Sequence, residues 1–457
     1  MLASIISMVL TAIDLVTRYL SEKEVFDRSS HQGIEDFDDA IALSYLLLRA
    51  DQLPTTGLWG RTISKNVLLN YPNDQKVTER LTELQSIGSV THAAFALRGL
   101  HALQQATGHV PSVASIPAMA RLMQMQTANG VFHPSPSEFT GGSGGEYRHN
   151  TTALIMLAYL ATLDGRRSVR RTAELWASES FREFLKLPSS EVLFCDKRYE
   201  TTLLYLIWCL NIYRSNNELP EVWIPPHGSK FWAGVASLLE NYYAEGLFFD
   251  TTHQSTCYYY TLIALEILLG IEGFLDDPER EALVWRSLRR IASARGENKG
   301  VPLGYHARTK CFSFQDVGTT ARFHNVVALY LRNVNGASEE RISDASTMQK
   351  ESMNFVRKAF LSVRYGNYNA MTHSYEAVLS MAEFIPCTNR DRLISLLKRI
   401  DTIVDSWSND GRVRLADIRA SDIPHRKFAT LMTRRDIVLY PQTRRLSCWK
   451  LGCWIRK

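Results

Sequence analysis

Thr91-His92-Ala93-Ala94-Phe95-Ala96-Leu97-Arg98-Gly99-Leu100-His101-Ala102-Leu103 starts on a hydroxyl and runs on as an apolar helix. The same opening recurs at Thr151-Thr152, Thr201-Thr202, Ser255-Thr256, Thr319-Thr320 and Thr372-His373, with intervals of 60, 50, 54, 64 and 53 residues between first members. A hydroxyl at a helix start accepts a hydrogen bond from the orphan amides of the first turn. Before most of these pairs stands a Gly- and aromatic-marked loop: Gly57-Leu58-Trp59, Gly130-Val131-Phe132, Gly246-Leu247-Phe248 and Gly304-Tyr305. Before each loop lies another helical stretch. The period holds two helices and two connections, so the unit is a helical hairpin used six times.

The two helices of each unit differ in kind. Segments such as ALIMLAYLATL, LLYLIWCLNIY and CYYYTLIALEILL are apolar nearly all round and are therefore buried on most sides. The helices before the loops are amphipathic, as in Ser168-Val169-Arg170-Arg171-Thr172-Ala173-Glu174-Leu175-Trp176. Six buried and six half-buried helices close into a double ring, and the predicted fold is an all-α (α/α)6 toroid. An isolated hairpin cannot bury its own face, so the ring folds as one unit. The expected division is an N-terminal helix over 1–35 that seals the ring, the toroid over 36–423 and a basic tail over 424–457.

Composition fits one large core, with 45% hydrophobic and 22% charged residues. The apolar run Met1–Ile13 is broken by Asp14 and Arg18, too short for the roughly 20 residues of a spanning helix, and no positive n-region precedes it. Seven scattered cysteines make no disulfide framework, which points to a reducing compartment, with a cytoplasmic location or one peripheral to a membrane. Phe139-Thr140-Gly141-Gly142-Ser143-Gly144-Gly145 has no Gly-Lys-Ser/Thr after it and is not a phosphate loop. From Pro424 onward nine Lys and Arg face Asp436 alone, so the tail carries +8 of a chain whose net charge is +5. Such a tail, with Tyr440, Trp449 and Trp454 interleaved, is either a solvated extension or a dock for an acidic partner, an anionic membrane or nucleic acid.

The string Leu122-Met123-Gln124-Met125-Gln126-Thr127-Ala128-Asn129-Gly130-Val131-Phe132, followed after a loop by His149-Asn150-Thr151-Thr152, resembles the repeat of terpenoid cyclases and protein prenyltransferases. The resemblance implies an isoprenoid-handling enzyme with an aromatic-lined cavity. Trp59, Phe132, Tyr258, Tyr259 and Tyr260 would then present π-faces to a hydrocarbon or carbocation. It also implies two alternative centres. Asp36-Phe37-Asp38-Asp39 matches the cyclase Asp-x-Asp-Asp pattern and makes Asp38 a general acid, although the same carboxylates at a helix start could simply cap it. In a prenyltransferase, Cys257 and His324 would be zinc ligands, with Ser255 standing where that family has an Asp.

Independently of any family, imidazoles collect where the buried helices begin: His92, His149, His253, His324 and His373, with Tyr199, Tyr258, Tyr259 and Arg322 in the same layer. Equivalent positions of a ring converge on one mouth of its cavity. His92, His149 and Tyr258 are catalytic candidates there, and Tyr199, His253, Tyr259, Arg322 and His373 are candidates for holding a hydrophobic or anionic small molecule. Two further readings stay open: a polysaccharide lyase or hydrolase using this His/Tyr/Arg rim, and a catalytically inactive ring serving as an interaction scaffold.

Overall fold

The computed structural model describes residues 37–53, 56–59, 90–109, 112–125, 235–236, 239–240, 243–244, 246–248, 255–306, 311–312, 315–359, 371–385 and 390–407. The architecture is an all-α toroid of the (α/α)6 kind. Four of its inner helices are described: α2 (Val90–Thr107), α4 (Tyr258–Leu269), α6 (Val317–Asn333) and α8 (Met371–Ser380). Outside them or at the seam lie α1 (Phe37–Asp51), α3 (Ser112–Met125), α5 (Pro278–Ser293), α7 (Glu339–Ala359) and α9 (Arg390–Trp407). The inner neighbours pack in ring order, α4 on α6, α6 on α8, and α8 back on α2, while α1 packs on α8 and α9. The first and last hairpins therefore meet.

Burial follows the two sequence types. From Thr261 to Leu269 the inner helix α4 buries every residue, apolar apart from Thr261 and Glu266. The outer helix α5 buries one stripe, Val284, Trp285, Ser287, Leu288 and Ile291. Asp277 caps it by accepting from the Glu279 amide at 2.9 Å, and Pro278 takes the first turn, where no amide is needed.

The Gly–aromatic loop has a physical basis at its first occurrence. Gln52 donates Nε2 to the Gly57 carbonyl at 2.7 Å, and Trp59 donates Nε1 to the Leu48 carbonyl at 2.7 Å. Gly57 sits at φ +69°, and a Cβ there would lie 2.7 Å from Pro117 of α3, so only glycine fits. The loops at Gly246 and Gly304 hold short strands: β1 (Tyr243–Ala244) pairs with β2 (Leu247–Phe248), and β3 (Ser255–Cys257) pairs with β4 (Gly304–His306), which pairs with β5 (Cys311–Phe312), all antiparallel.

Two helix starts differ from the sequence expectation. Ser255-Thr256 lies in β3, and α4 begins after it, with the Tyr258 and Tyr259 amides donating to the Leu303 carbonyl. At α6 the capping group is Asp316, one turn ahead of the hydroxyl pair. Its Oδ2 accepts from the Thr319 amide at 2.6 Å and the Thr319 hydroxyl at 2.8 Å. The carboxylate is the stronger acceptor, and the Thr319 hydroxyl becomes its donor, while the Thr320 hydroxyl donates to the Asp316 backbone carbonyl. The expectations for residues 1–35, for the loop at 139–145 and for the tail lie outside the described residues.

Candidate functional site

Each of the four described inner helices carries one charged residue away from its ends: Arg98, Glu266, Arg322 and Glu376. Buried charge is costly unless paired, and these four pair with one another. Arg322 is fully buried and donates Nη1 to Glu266 and Nη2 to Glu376. Arg98 donates to Glu266 from Nη2 and lies 3.3 Å from the Glu376 Oε1 through Nη1. Each carboxylate thus meets both guanidinia. The Arg322 Nη2 also donates to the Tyr259 hydroxyl at 3.3 Å, and its guanidinium stands 5.1 Å from the centre of that ring. Ser380 donates to Glu376 at 3.3 Å.

Glycine brings the helices close enough for this. A Cβ on Gly99 would lie 2.9 Å from the Cα of Glu376, so α2 and α8 touch backbone to backbone beside Arg98. A larger residue would part them at the level of the ion pairs.

The electrostatics sort the acids. Lost hydration would raise the Glu266 carboxyl, but Arg98 and Arg322 outweigh it and hold it below the usual range. Burial would likewise drive Arg322 down, and Glu376, Tyr259 and Glu266 together keep it well above its ordinary value. Glu383 ends the 3-10 turn Met381–Glu383 that extends α8, and its side chain keeps an exposed surface. Even so its carboxyl is raised, first by the dense surroundings and then by Glu266 and Glu376, against Arg98 and Arg332. Arg332, from the last turn of α6, donates to the Glu383 carbonyl at 3.2 Å and covers the Phe384 ring at 4.6 Å. An ionised carboxylate and a carboxyl pushed upward within one field is the arrangement from which acid and base roles divide.

Two groups at the start and middle of α6 titrate in opposite senses. Burial pushes Asp316 up to about 6, against the hydrogen bonds from Thr319 and Gly318. Burial pushes His324 down to about 4, although its Nδ1 meets the Asn325 Oδ1 at 3.2 Å. Asp316 adds stability that is complete below its unfolded pKa of 3.8 and is lost as pH rises through about 6. His324 adds stability that is complete above 6.5 and is lost as pH falls through about 4. Each swing is on the order of 3 kcal/mol, so across the shared window between about 4 and 6 they nearly cancel. Asp316→Asn should unmask a stability that climbs with pH in that window, and His324→Asn one that falls. Urea melts at stepped pH measure both; parallel profiles for the two variants would refute the assignment.

The residues expected from sequence are distributed as follows. Tyr259 and Arg322 meet in the buried cluster. Tyr258 and His92 are buried in the first turns of α4 and α2, and His324 is buried in α6. Trp59 is wholly buried and spends its indole N–H on Leu48, which makes it a strut of the first hairpin. Asp38 is buried in the first turn of α1. Cys257 ends β3 and His373 falls in the first turn of α8. His149, Tyr199, His253 and Phe132 lie outside the described residues. Among the described residues no group of three or more His, Cys, Asp or Glu could hold a metal ion. No described helix is long and apolar enough to cross a membrane. Sequence reasoning passed over Arg98, Glu266, Glu376 and Glu383, and the signal was there: one charge in the middle of each apolar run.

No family model and no curated protein matches this chain. Solved structures do match. An unsaturated glucuronyl hydrolase specific for heparin has a TM-score of 0.49 at 11% identity, covering 77% of this chain and 100% of its own. The unsaturated glucuronyl hydrolase of Bacillus sp. GL1 has a TM-score of 0.48 at 12% identity, covering 76% and 96%. A sugar epimerase from a ruminal bacterium has a TM-score of 0.45 at 11% identity, covering 65% and 87%. These three are named as a hydrolase, a hydrolase and an epimerase and none as a terpenoid cyclase or prenyltransferase, so that resemblance and the isoprenoid-handling function drawn from it are withdrawn. The misreading has a physical origin: a Gln, a Gly and an aromatic that close an outer helix report on how a hairpin turns, as Gln52, Gly57 and Trp59 do, and carry no information on the ligand.

Proposed function

We propose that this ring cleaves a glycosidic bond in an acidic carbohydrate, with Glu383 as proton donor and Glu266 as the ionised partner. One observation carries the reading: two inner-helix carboxylates are locked by two guanidinia, and a third carboxyl, exposed and raised, stands in their field. Glu383 gives its proton to the leaving oxygen as the bond to the anomeric carbon breaks. Glu266 has its oxygens committed to Arg98 and Arg322, so it serves as a fixed negative charge beside the oxocarbenium-like centre. Water adds to that carbon and supplies the proton that restores Glu383.

Formal charge supports an anionic sugar. Arg98 and Arg322 balance Glu266 and Glu376, and Arg332, which donates to the Glu383 carbonyl, adds a further positive charge beside Glu383. A uronate or sulfate would balance it. The assignments of His92, His149 and Tyr258 as catalytic candidates and of Tyr199, His253 and His373 as candidates for holding the sugar stay part of this proposal. The tail's acidic partner and a cytoplasmic location are carried along as part of the proposal.

The test is turnover of uronate-containing oligosaccharides by the wild type and by Glu383→Gln. The variant should lose roughly 10²–10⁴-fold in kcat while staying folded. Turnover that survives the substitution would remove Glu383 from the mechanism. A second reading is favoured by the ion pairs themselves: the Arg98–Glu266–Arg322–Glu376 network ties four helices whether or not chemistry occurs, and a non-catalytic scaffold would keep it. Absence of turnover on a broad panel of acidic and neutral glycans would select the scaffold.

A further inference from the structure

Most arginines described on the outer layer have a partner. Arg280 meets Asp277 at 3.4 Å, Arg295 meets Glu351 at 2.9 Å and Arg341 meets Glu281 at 2.6 Å. Arg357 donates to Asn354 at 3.1 Å. The second half of α5 is different. Arg286, Arg289 and Arg290 are all exposed, and none has an ion-pair or side-chain hydrogen-bond partner among the described residues.

Spacings of i, i+3 and i+4 put the three side chains on one face, within about 6 Å along the axis. The inward face of the same helix is fixed by Val284, Trp285, Leu288 and Ile291, so the arginines cannot turn away from solvent. The β1–β2 turn abuts the stems: a Cβ on Gly246 would lie 3.4 Å from the Arg290 Cβ and 3.6 Å from the Arg286 Cγ. The stems are therefore held at their bases while the guanidinia stay free. Neighbouring like charges at this spacing oppose helix formation, partly offset by the negative end of the helix dipole. A polyanion would relieve that repulsion and find a ready fork of donors.

We propose that the Arg286–Arg289–Arg290 face of α5 is a docking strip for a sulfated or uronate-bearing polysaccharide, outside the ring's interior. The choice of a glycan rests on the carbohydrate reading of the site. It also rests on the surface itself. Binding single-stranded nucleic acid calls for exposed aromatic faces on which bases stack, whereas Trp285 beneath the strip is buried and stacked on Tyr330 at 5.8 Å. The only large hydrophobic side chain exposed among the described residues is Ile116, on α3.

The experiment measures binding of a short sulfated glycosaminoglycan oligosaccharide to the full-length chain at low and at physiological salt, with no turnover readout. R286A/R289A/R290A should weaken binding by about tenfold or more and flatten its salt dependence, with an unchanged melting temperature. R286K/R289K/R290K should retain most of the affinity. In the tail, R434A/R435A/R444A should leave binding within about twofold. Unchanged affinity in the triple-alanine variant overturns the proposal, as does a loss confined to the tail variant. Tighter binding of a single-stranded oligonucleotide of equal charge at equal salt also overturns it and reassigns the strip to nucleic acid. A chain that binds the glycan through the strip but turns over no sugar would sink the catalytic reading alone, so the two failures are distinguishable.

Discussion

Arg322→Met is expected to destabilise the ring by about 3–5 kcal/mol, the cost of removing one partner from a buried ion pair. Arg322 is fully buried and serves Glu266 and Glu376 at once, so its loss leaves two carboxylates sharing Arg98. Methionine fills much of the stem's volume, which confines the effect to charge. Adding Glu376→Gln to that variant should recover at least half of the loss, because the unpaired charge and not the missing contact carries most of the cost. Urea midpoints of the wild type, both single variants and the double variant complete the cycle. A loss below about 1 kcal/mol in Arg322→Met would mean that water reaches the cluster, and would withdraw the low-dielectric argument on which Glu383 rests.

The fold was legible because its signals are local and repeated. All-apolar runs at a steady period announce buried helices, and a Gln–Gly–aromatic loop announces how each hairpin turns, as Gln52, Gly57 and Trp59 do through their own hydrogen bonds. The site was legible only in part. Tyr259 and Arg322 stand out in the sequence for lying near a helix start, yet Arg322 stands deep enough to meet carboxylates from two other helices, Glu266 of α4 and Glu376 of α8. Arg98, Glu266 and Glu376 are separate single charges in sequence, and only ring closure turns them into two pairs. Their shared signature, a lone ion inside an apolar helix, was open to reading because such an ion must be paired. The caps misled in the other direction. The sequence points to Thr319-Thr320 as the capping group of α6, while the Asp316 carboxylate three residues before Thr319 holds that place and the Thr319 hydroxyl donates to it.

Asp401→Ala should cost about 3 kcal/mol and open the ring at one place, its seam. Asp401 of α9 accepts from the Tyr45 hydroxyl at 2.5 Å and from the Arg49 Nε at 3.3 Å, both on α1, and meets the His109 Nε2 at 3.1 Å. Tyr45 also stands edge-on to His109, with ring centres 6.0 Å apart, and Arg390 donates to the Thr107 carbonyl at 3.1 Å. These bonds join residues 283 to 356 positions apart in the chain, which is how the last hairpin is held to the first. Alanine leaves the Tyr45, Arg49 and His109 donors buried with their shared acceptor gone, whereas Asp401→Asn keeps one oxygen and should cost less. A clasp also predicts where the loss appears. Amide exchange in α1 and α9 should quicken while α4 and α6, tied by Arg322, stay protected, because opening at the seam breaks none of their contacts. Equal acceleration in all four helices would show that ring closure is shared by every interface and that the seam has no lower stability of its own.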